Sequence, residues 1–197
     1  MEGTSTQPWP EIIMRSFFIA GASSSTSEKP FYGPWNRLLN TMFPVDTIFE
    51  VVPQYFPQSV GSRDAVDFVV MLIIYVNAYP VLIVEVKPPA DFKFNSKRQE
   101  ADTQMRQRFL DVVGDLRIPV LHGVSAYGTK LAFYKYTKNA NVLEPRRITP
   151  DPELLTDTAP QHWWDCDILE ADGAKKFREV VENVKEMCEA IQRNGTF

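Results

Sequence analysis

The sequence predicts an α/β or α+β fold in which helices pack against one mixed sheet. Helical and strand-like hydrophobic patterns follow one another in the order α-α-β-β-β-α-β-β-α. The 197 residues are enough for one domain with a buried core and too few for two ordinary ones. Hydrophobic residues make up 44% and charged residues 23%, the balance of a globular protein. We therefore expect residues 1–197 to form a single domain.

Composition excludes several classes of protein. Lys and Arg number 21 against 25 Asp and Glu, so the chain lacks the overall basic charge of many nucleic-acid-binding proteins. Two cysteines and two histidines cannot form a disulfide framework or a four-ligand zinc finger. Polar residues and prolines interrupt each apolar stretch. We therefore expect no membrane span and no secretory signal, and an intracellular location in the cytoplasm or nucleus.

The charges are unevenly distributed. Residues 87–147 carry 12 basic and 6 acidic side chains, whereas the rest of the chain carries 9 basic and 19 acidic ones. A basic middle segment is compatible with a local anion-binding face, and ordinary solvated helix surfaces produce the same pattern equally well.

The first half of the chain predicts two helices and then three strands. Apolar spacing indicates helices at 9–20 and 34–42, with a Ser/Thr-rich loop between them. β-branched, aromatic and nearly continuous apolar runs indicate strands, which we place at 47–55, 67–76 and 81–87. The last two strands are expected to be joined by the segment Asn77-Ala78-Tyr79-Pro80.

The second half predicts a helix, a hairpin, a long connection and a final helix. One helical face of 97–116 is apolar, and strands at 118–126 and 130–136 flank a turn at Gly128. Four prolines indicate that 139–167 wraps around the core without regular structure. Asp172 is a suitable N-cap for the last helix, which is expected to end at Gly195.

Three charged residues stand at the ends of two neighbouring predicted strands. Glu85 and Lys87 point to the same face of their strand because side chains alternate. A turn centred on Asn77 would place Asp67 opposite Lys87 and diagonal to Glu85, within reach of a shared cation. Charged groups beside a buried strand are costly unless they are paired, hydrated or metal-bound. A structural Glu–Lys or Asp–Lys ion pair at the sheet rim would account for the same residues.

Asp67 followed after eighteen residues by Glu85-Val86-Lys87 resembles the PD-(D/E)XK nuclease superfamily. The resemblance covers residues 35–136 and is strongest to small fungal members. It implies a restriction-endonuclease-like α/β/α sandwich with a central mixed sheet and core order α-β-β-β-α-β. In this chain the core would carry an additional helix at each terminus, and residues 139–197 would wrap around the core. The chain departs from the family in having Val66 before the aspartate and Asn36 where many members place an acid on the first core helix.

The resemblance also implies a mechanism and its residues. Asp67, Glu85 and the main-chain carbonyl of Val86 would hold Mg²⁺ or Mn²⁺, which prefer oxygen ligands. Lys87 would orient the attacking water and stabilise charge on the phosphate. Gln104, on the following helix, would reach towards the site. Hydrolysis of a phosphodiester bond would leave a 5′-phosphate and a 3′-hydroxyl.

Nucleic acid is the expected partner, DNA rather than RNA. Phosphate contacts are assigned to the basic residues next to the site, Lys93, Lys97, Arg98 and Arg108. Two alternatives stay open: a catalytically inactive relative of the fold that binds nucleic acid or protein, and an unrelated α/β interaction protein. The apolar pair Trp163-Trp164 is expected to pack onto the core beside the last helix, and it is also a candidate homodimer interface.

Overall fold

The computed structural model of the protein describes residues 7–22, 26–55, 66–74, 77–153 and 156–194. The helices in these ranges are α1 (Glu11–Gly21), α2 (Lys29–Met42), α3 (Asn95–Val112) and α4 (Ala171–Asn194). The strands are β1 (Phe49–Tyr55), β2 (Val66–Ile74), β3 (Asn77–Lys87), β4 (Val120–Tyr127), β5 (Lys130–Thr137), β6 (Val142–Glu144) and β7 (Cys166–Asp167). Short 3-10 helices occur at Pro89–Lys93, Val113–Asp115 and Gln161–Trp164.

The strands form one open sheet in the order β1-β2-β3-β4-β5-β6, and β7 also pairs with β5. Of the strand pairs in the described ranges, β3–β4 alone is parallel. A parallel pair needs a long crossover connection, and helix α3 lies in it. The protein is therefore a mixed α/β fold with a mostly antiparallel central sheet, as the order of hydrophobic patterns predicted.

Helices flank the sheet on both faces. The contacts of two neighbouring residues of β4 show this. A side chain at Gly123 would meet Phe109 and Met105 of α3. The adjacent His122 contacts Asn183 of α4 through a 2.8 Å hydrogen bond. Because successive residues of a strand point to opposite faces, α3 and α4 cover opposite sides of β4. No helix in the described part of the chain is long and apolar enough to cross a membrane.

Aromatic packing joins α1, α2 and α4 on the α4 side of the sheet. Trp35 of α2 makes edge-to-face contacts with Phe17 of α1 and Phe177 of α4, at ring-centroid distances of 5.6 and 5.9 Å. The Trp35 indole also donates a 3.1 Å hydrogen bond to the Gly128 carbonyl in the β4–β5 turn. Gly128 has φ +61°, a backbone conformation that favours glycine. These contacts hold α2 close to the ends of β3 and β4.

The predicted turn between β2 and β3 is wrong. Asn77 through Pro80 belong to β3, and pairing begins at Ile74 with Asn77. After a bulge at Val70/Met71, the register runs to Phe68 opposite Val84. One further residue in this register places Asp67 level with Glu85, instead of opposite Lys87 as predicted. The shift is two residues, an even number, so the position of Asp67 stays on the face of the sheet that Glu85 and Lys87 share.

Two other expectations are corrected. Helix α2 begins at Lys29, five residues before the predicted start, because Pro30 lies in the first turn, where its missing N–H costs no hydrogen bond. The connection 139–167 contains β6, a 3-10 helix and β7, although it was expected to be irregular. Its Trp164 is 2% exposed and contacts Tyr127, so this side chain is part of the core and offers no interface. The predicted end of the last helix, Gly195, lies outside the described residues.

Candidate functional site

The β2–β3 ladder ends just before the residues that the sequence singles out. Phe68 and Val84 are the last paired residues, so Asp67 lies one position beyond the ladder. Its Oδ2 accepts a 2.7 Å hydrogen bond from the Val86 N–H. Its Oδ1 accepts a 2.8 Å hydrogen bond from the Tyr32 hydroxyl of α2. These two donors hold the Asp67 carboxylate at the gap between the strand ends.

Glu85 lies on the side of β3 that faces α3. Its carboxylate is buried, since the residue is 1% exposed. Oε1 accepts a 2.7 Å hydrogen bond from Arg108 Nε, and Oε2 accepts one of 3.2 Å from Lys87 Nζ. Two cations therefore balance the charge of Glu85 in the interior. The predicted contact between Glu85 and Lys87 is present, with Arg108 as an additional partner.

Burial dominates the electrostatics of both carboxylates. Loss of solvent raises the pKa of Asp67, while the hydrogen bonds from Val86 and Tyr32 and the charge of Lys87 act in the opposite direction. Burial likewise raises the pKa of Glu85, and the negative charge of Asp67 adds to this increase, against the lowering effect of Lys87 and Arg108. The two carboxylates are thus close enough to repel one another. A bound cation would relieve that repulsion.

Main-chain and hydroxyl groups complete the surroundings of the gap. The Val86 N–H points towards β2, and in an extended strand the carbonyl of the same residue points the same way. On the other side of β3, Ser125 of β4 is the register partner of Glu85. The Ser125 hydroxyl is buried and has no hydrogen-bond partner within the described part of the chain. A buried hydroxyl without a partner is uncommon in folded proteins.

The candidate metal ligands are all oxygen donors, the type that a hard divalent cation prefers. Asp67, Glu85 and the Val86 carbonyl lie at one end of the β2–β3 pair. No three His, Cys, Asp or Glu side chains among the described residues gather closely enough to form a metal site alone. Mg²⁺ does not require such a cluster, because it commonly keeps several waters and uses one or two carboxylates together with substrate phosphate. Within the described residues, Asp67 and Glu85 are thus the carboxylates that could hold such an ion, each now accepting hydrogen bonds from the protein.

Two cavities open on either side of the site. Lys87 and Gln104 line one of about 210 Å³, together with Glu28. Asp67 and Tyr32 line another of about 300 Å³. The Lys87 side chain is 20% exposed, so the Glu85–Lys87 pair has an opening to solvent. The structure thus brings Gln104 beside Lys87, as predicted, and places Asp67 in a separate cavity.

The four predicted phosphate contacts divide into two groups. Lys93 and Lys97 are exposed, although Lys97 pairs with Glu100 at 2.8 Å. Arg98 and Arg108 are 4% and 3% exposed and bind groups inside the protein, so the expectation that they contact nucleic acid is corrected. Helical spacing places basic residues near a site, but it does not reveal which of them a later segment of the chain will cover.

Sequence reasoning missed three residues at the site. Tyr32 holds Asp67, and its aromatic character alone gave no signal of this contact. Ser125 lies beside Glu85 only because of the β3–β4 register, which the sequence does not reveal. Glu28, just before α2, shares a cavity with Lys87 and is suited to the role of the missing first-helix acid. The Lys29-Pro30 helix start was the signal that could have drawn attention to it.

Comparison with known proteins does not supply a name for this arrangement. No protein-family model matches the chain, no curated protein is similar to it, and no solved structure matches it. The geometry at the ends of β2 and β3 is therefore the basis on which a function can be proposed.

Proposed function

We propose that the chain is a metal-dependent nuclease of the PD-(D/E)XK type with a restriction-endonuclease-like fold. One observation carries the proposal: where the β2–β3 ladder ends, Lys87 contacts Glu85 and the Asp67 carboxylate binds the N–H of Val86, the residue between them. The element order supports it, since helix α2, strands β1-β2-β3, helix α3 and strand β4 follow one another as in the core of that superfamily.

The reaction would be hydrolysis of a phosphodiester bond. Water attacks phosphorus, the bond to the 3′ oxygen breaks, and that oxygen takes up a proton to give a 3′-hydroxyl and a 5′-phosphate. Asp67, Glu85 and the Val86 carbonyl would hold Mg²⁺ or Mn²⁺, which when bound polarises phosphoryl oxygens and helps to deprotonate water.

The chain's own residues would position the substrate and compensate its charge. The Lys87 ammonium faces the cavity and would stabilise the additional negative charge that develops on the phosphate. Gln104 lines the same cavity and offers an amide to orient water or a phosphate oxygen. Tyr32 and the Val86 N–H keep the Asp67 carboxylate in place, and burial holds the pKa of Tyr32 far above neutrality, so its hydroxyl remains a donor.

A second candidate function has its own supporting observation. Both Glu85 oxygens already receive cationic donors, Arg108 at 2.7 Å and Lys87 at 3.2 Å. This arrangement balances the buried charge without an added ion. A catalytically inactive binding module with the same fold is therefore the alternative.

Cleavage assays decide between the two. Single- and double-stranded DNA and RNA are incubated with Mg²⁺ or Mn²⁺ and the wild type, Lys87→Ala or Lys175→Ala. Lys175 is an exposed lysine of α4 and serves as the matched control. We expect Lys87→Ala to lose about 10²–10³-fold in rate while Lys175→Ala cleaves like the wild type. Equal rates in all three proteins would indicate a contaminating nuclease, and binding without cleavage would favour the inactive module.

A further inference from the structure

The cavity beside Asp67 is chemically different from the one beside Lys87. Tyr32, Asn36, Gln54, Asp67 and Phe68 are among the residues that line its volume of about 300 Å³. Lys and Arg are absent from this lining in the part of the chain that the structure describes. The cavity therefore offers a phosphate no protein cation, and any positive charge there would come from the metal that Asp67 is proposed to hold. A neutral, flat and polar-edged group suits it better.

Gln54 has an unusual backbone conformation at this cavity. Its φ is +50°, in the left-handed region that residues other than glycine seldom adopt. The β1–β2 ladder pairs Pro53 with Phe68 and Tyr55 with Val66 and leaves Gln54 out. Gln54 is therefore level with Asp67 on the neighbouring strand, outside the regular pairing. Conformations of this kind cluster at ligand-binding positions.

Two exposed side-chain amides, those of Asn36 and Gln54, line the cavity. The Gln54 amide has no hydrogen-bond partner among the described residues, so a ligand would compete only with water for it. The Asn36 Oδ1 accepts a 3.2 Å hydrogen bond from Asn40, which leaves the Asn36 amino group available to a ligand. Asn and Gln amides, each a donor and an acceptor, are the side chains that pair with the edge of adenine.

We propose that this cavity binds one unpaired nucleobase of the substrate strand, adenine in preference to the others. The proposal rests on the proposed nuclease function, because it places the base next to a phosphate at Asp67, Glu85 and Lys87. The volume lies at the lower limit of ligand pockets and suits a single base. A paired base cannot enter such a cavity without leaving its stack. The substrate class is therefore single-stranded nucleic acid or a duplex with an unpaired nucleotide.

Binding tests the cavity independently of cleavage. Labelled single-stranded oligo-dA and a fully paired duplex of equal length are titrated with the Lys87→Ala protein, and fluorescence anisotropy gives each Kd. We expect the single strand to bind at least about tenfold more tightly than the duplex. Adding Asn36→Ala and Gln54→Ala should weaken single-strand binding about tenfold, because each bidentate amide contact is lost. Adding Gln192→Ala instead, an exposed amide of α4, should change neither Kd.

Cleavage then separates this proposal from the nuclease proposal. The wild type and the Asn36→Ala/Gln54→Ala protein are compared on a duplex that contains one unpaired adenine, and cut positions are mapped on a gel. Cuts next to the unpaired adenine, lost in the double variant, support both proposals. Cuts spread along paired DNA in both proteins would overturn the base-binding proposal alone. Amide-dependent binding without cleavage would overturn the nuclease alone, and neither binding nor cleavage would overturn both.

Discussion

Helix α3 carries two buried arginines whose surroundings differ. Arg98 donates hydrogen bonds to the Ala159 and Phe92 carbonyls, both at 2.9 Å, and to the Asp157 carboxylate at 2.8 Å. Arg108 instead donates to Glu85, whose other oxygen is bound by Lys87. Two of the three Arg98 partners are therefore main-chain carbonyls. The Glu85 partner of Arg108 is a carboxylate that also binds a second cation, Lys87.

The difference distinguishes a structural charge from one at a candidate site. Arg98 anchors the segment around Asp157 and Ala159 to α3, and none of its three hydrogen-bond partners lines the cavity of Lys87. The Glu85 cluster, in contrast, contains two mutually repelling carboxylates, an unpartnered Ser125 hydroxyl and an exposed edge at Lys87. Interiors that serve stability alone do not ordinarily contain such groups. Four predictions sharpen or break this comparison.

The largest effect is expected at the structural arginine. Arg98→Ala removes three hydrogen bonds and leaves the Ala159 and Phe92 carbonyls without their donor, while the partly exposed Asp157 can be hydrated, so we expect a loss of about 3 kcal/mol in unfolding free energy. Urea denaturation followed by circular dichroism measures it. The neighbouring Lys97→Ala, which removes an exposed pair with Glu100, should leave the midpoint unchanged. If both variants unfold at the same urea concentration, Arg98 is not an anchor.

A smaller effect is expected from Mg²⁺ at the candidate site. Ligand at a hundred times its Kd stabilises a protein by about 2.7 kcal/mol, or about 5–10 °C in Tm for a chain of this size. The wild type should show this increase and Asp67→Asn should not, because the variant lacks one of the anionic ligands. The exposed Asp46→Asn serves as the control and should respond like the wild type. An equal shift in Asp67→Asn would place the ion elsewhere.

The same variant reports the cost of burying the carboxylate when no metal is added. Burial raises the pKa of Asp67, so its contribution to stability is present below the ordinary aspartate pKa and is lost as the pH rises through the raised value. At pH 7 without metal, Asp67→Asn should therefore melt at a higher temperature than the wild type. The two melting temperatures should converge on acidification, and a lower Tm for the variant at neutral pH would contradict this account.

The smallest effect is expected at His122, which is away from the site. Burial lowers the pKa of His122, helped by the charge of Lys135 and opposed by the hydrogen bond with Asn183. Its contribution to stability is therefore present above the ordinary histidine pKa and is lost as the pH falls through the lowered value. Between pH 7.5 and pH 5.5 the wild type should lose a few degrees of Tm relative to His122→Gln. Parallel pH profiles would show that His122 is not the titrating group.

Local patterns predicted the elements well because helical and strand periodicities depend on near neighbours in sequence. Alternation along 81–87 correctly placed Glu85 and Lys87 on one face, and their contact follows from it. The register between β2 and β3 could not be obtained in this way. It depends on pairing that begins at Ile74 with Asn77 and on a bulge at Val70/Met71, both of which result from packing across the sheet.

The sequence by itself determined the order of helices and strands, the buried β2–β3 pair and the charged residues Asp67, Glu85 and Lys87 at its end. Only the tertiary structure decided that Arg98 would be buried under residues 156–160, that Arg108 would bind Glu85, and that Tyr32 would hold Asp67. The physical reason is the distance along the sequence over which each feature is determined. Hydrophobic periodicity is set over a few residues, whereas burial of a charge depends on which distant segments supply its partners, and those partners lie 23 to 61 residues away in the chain.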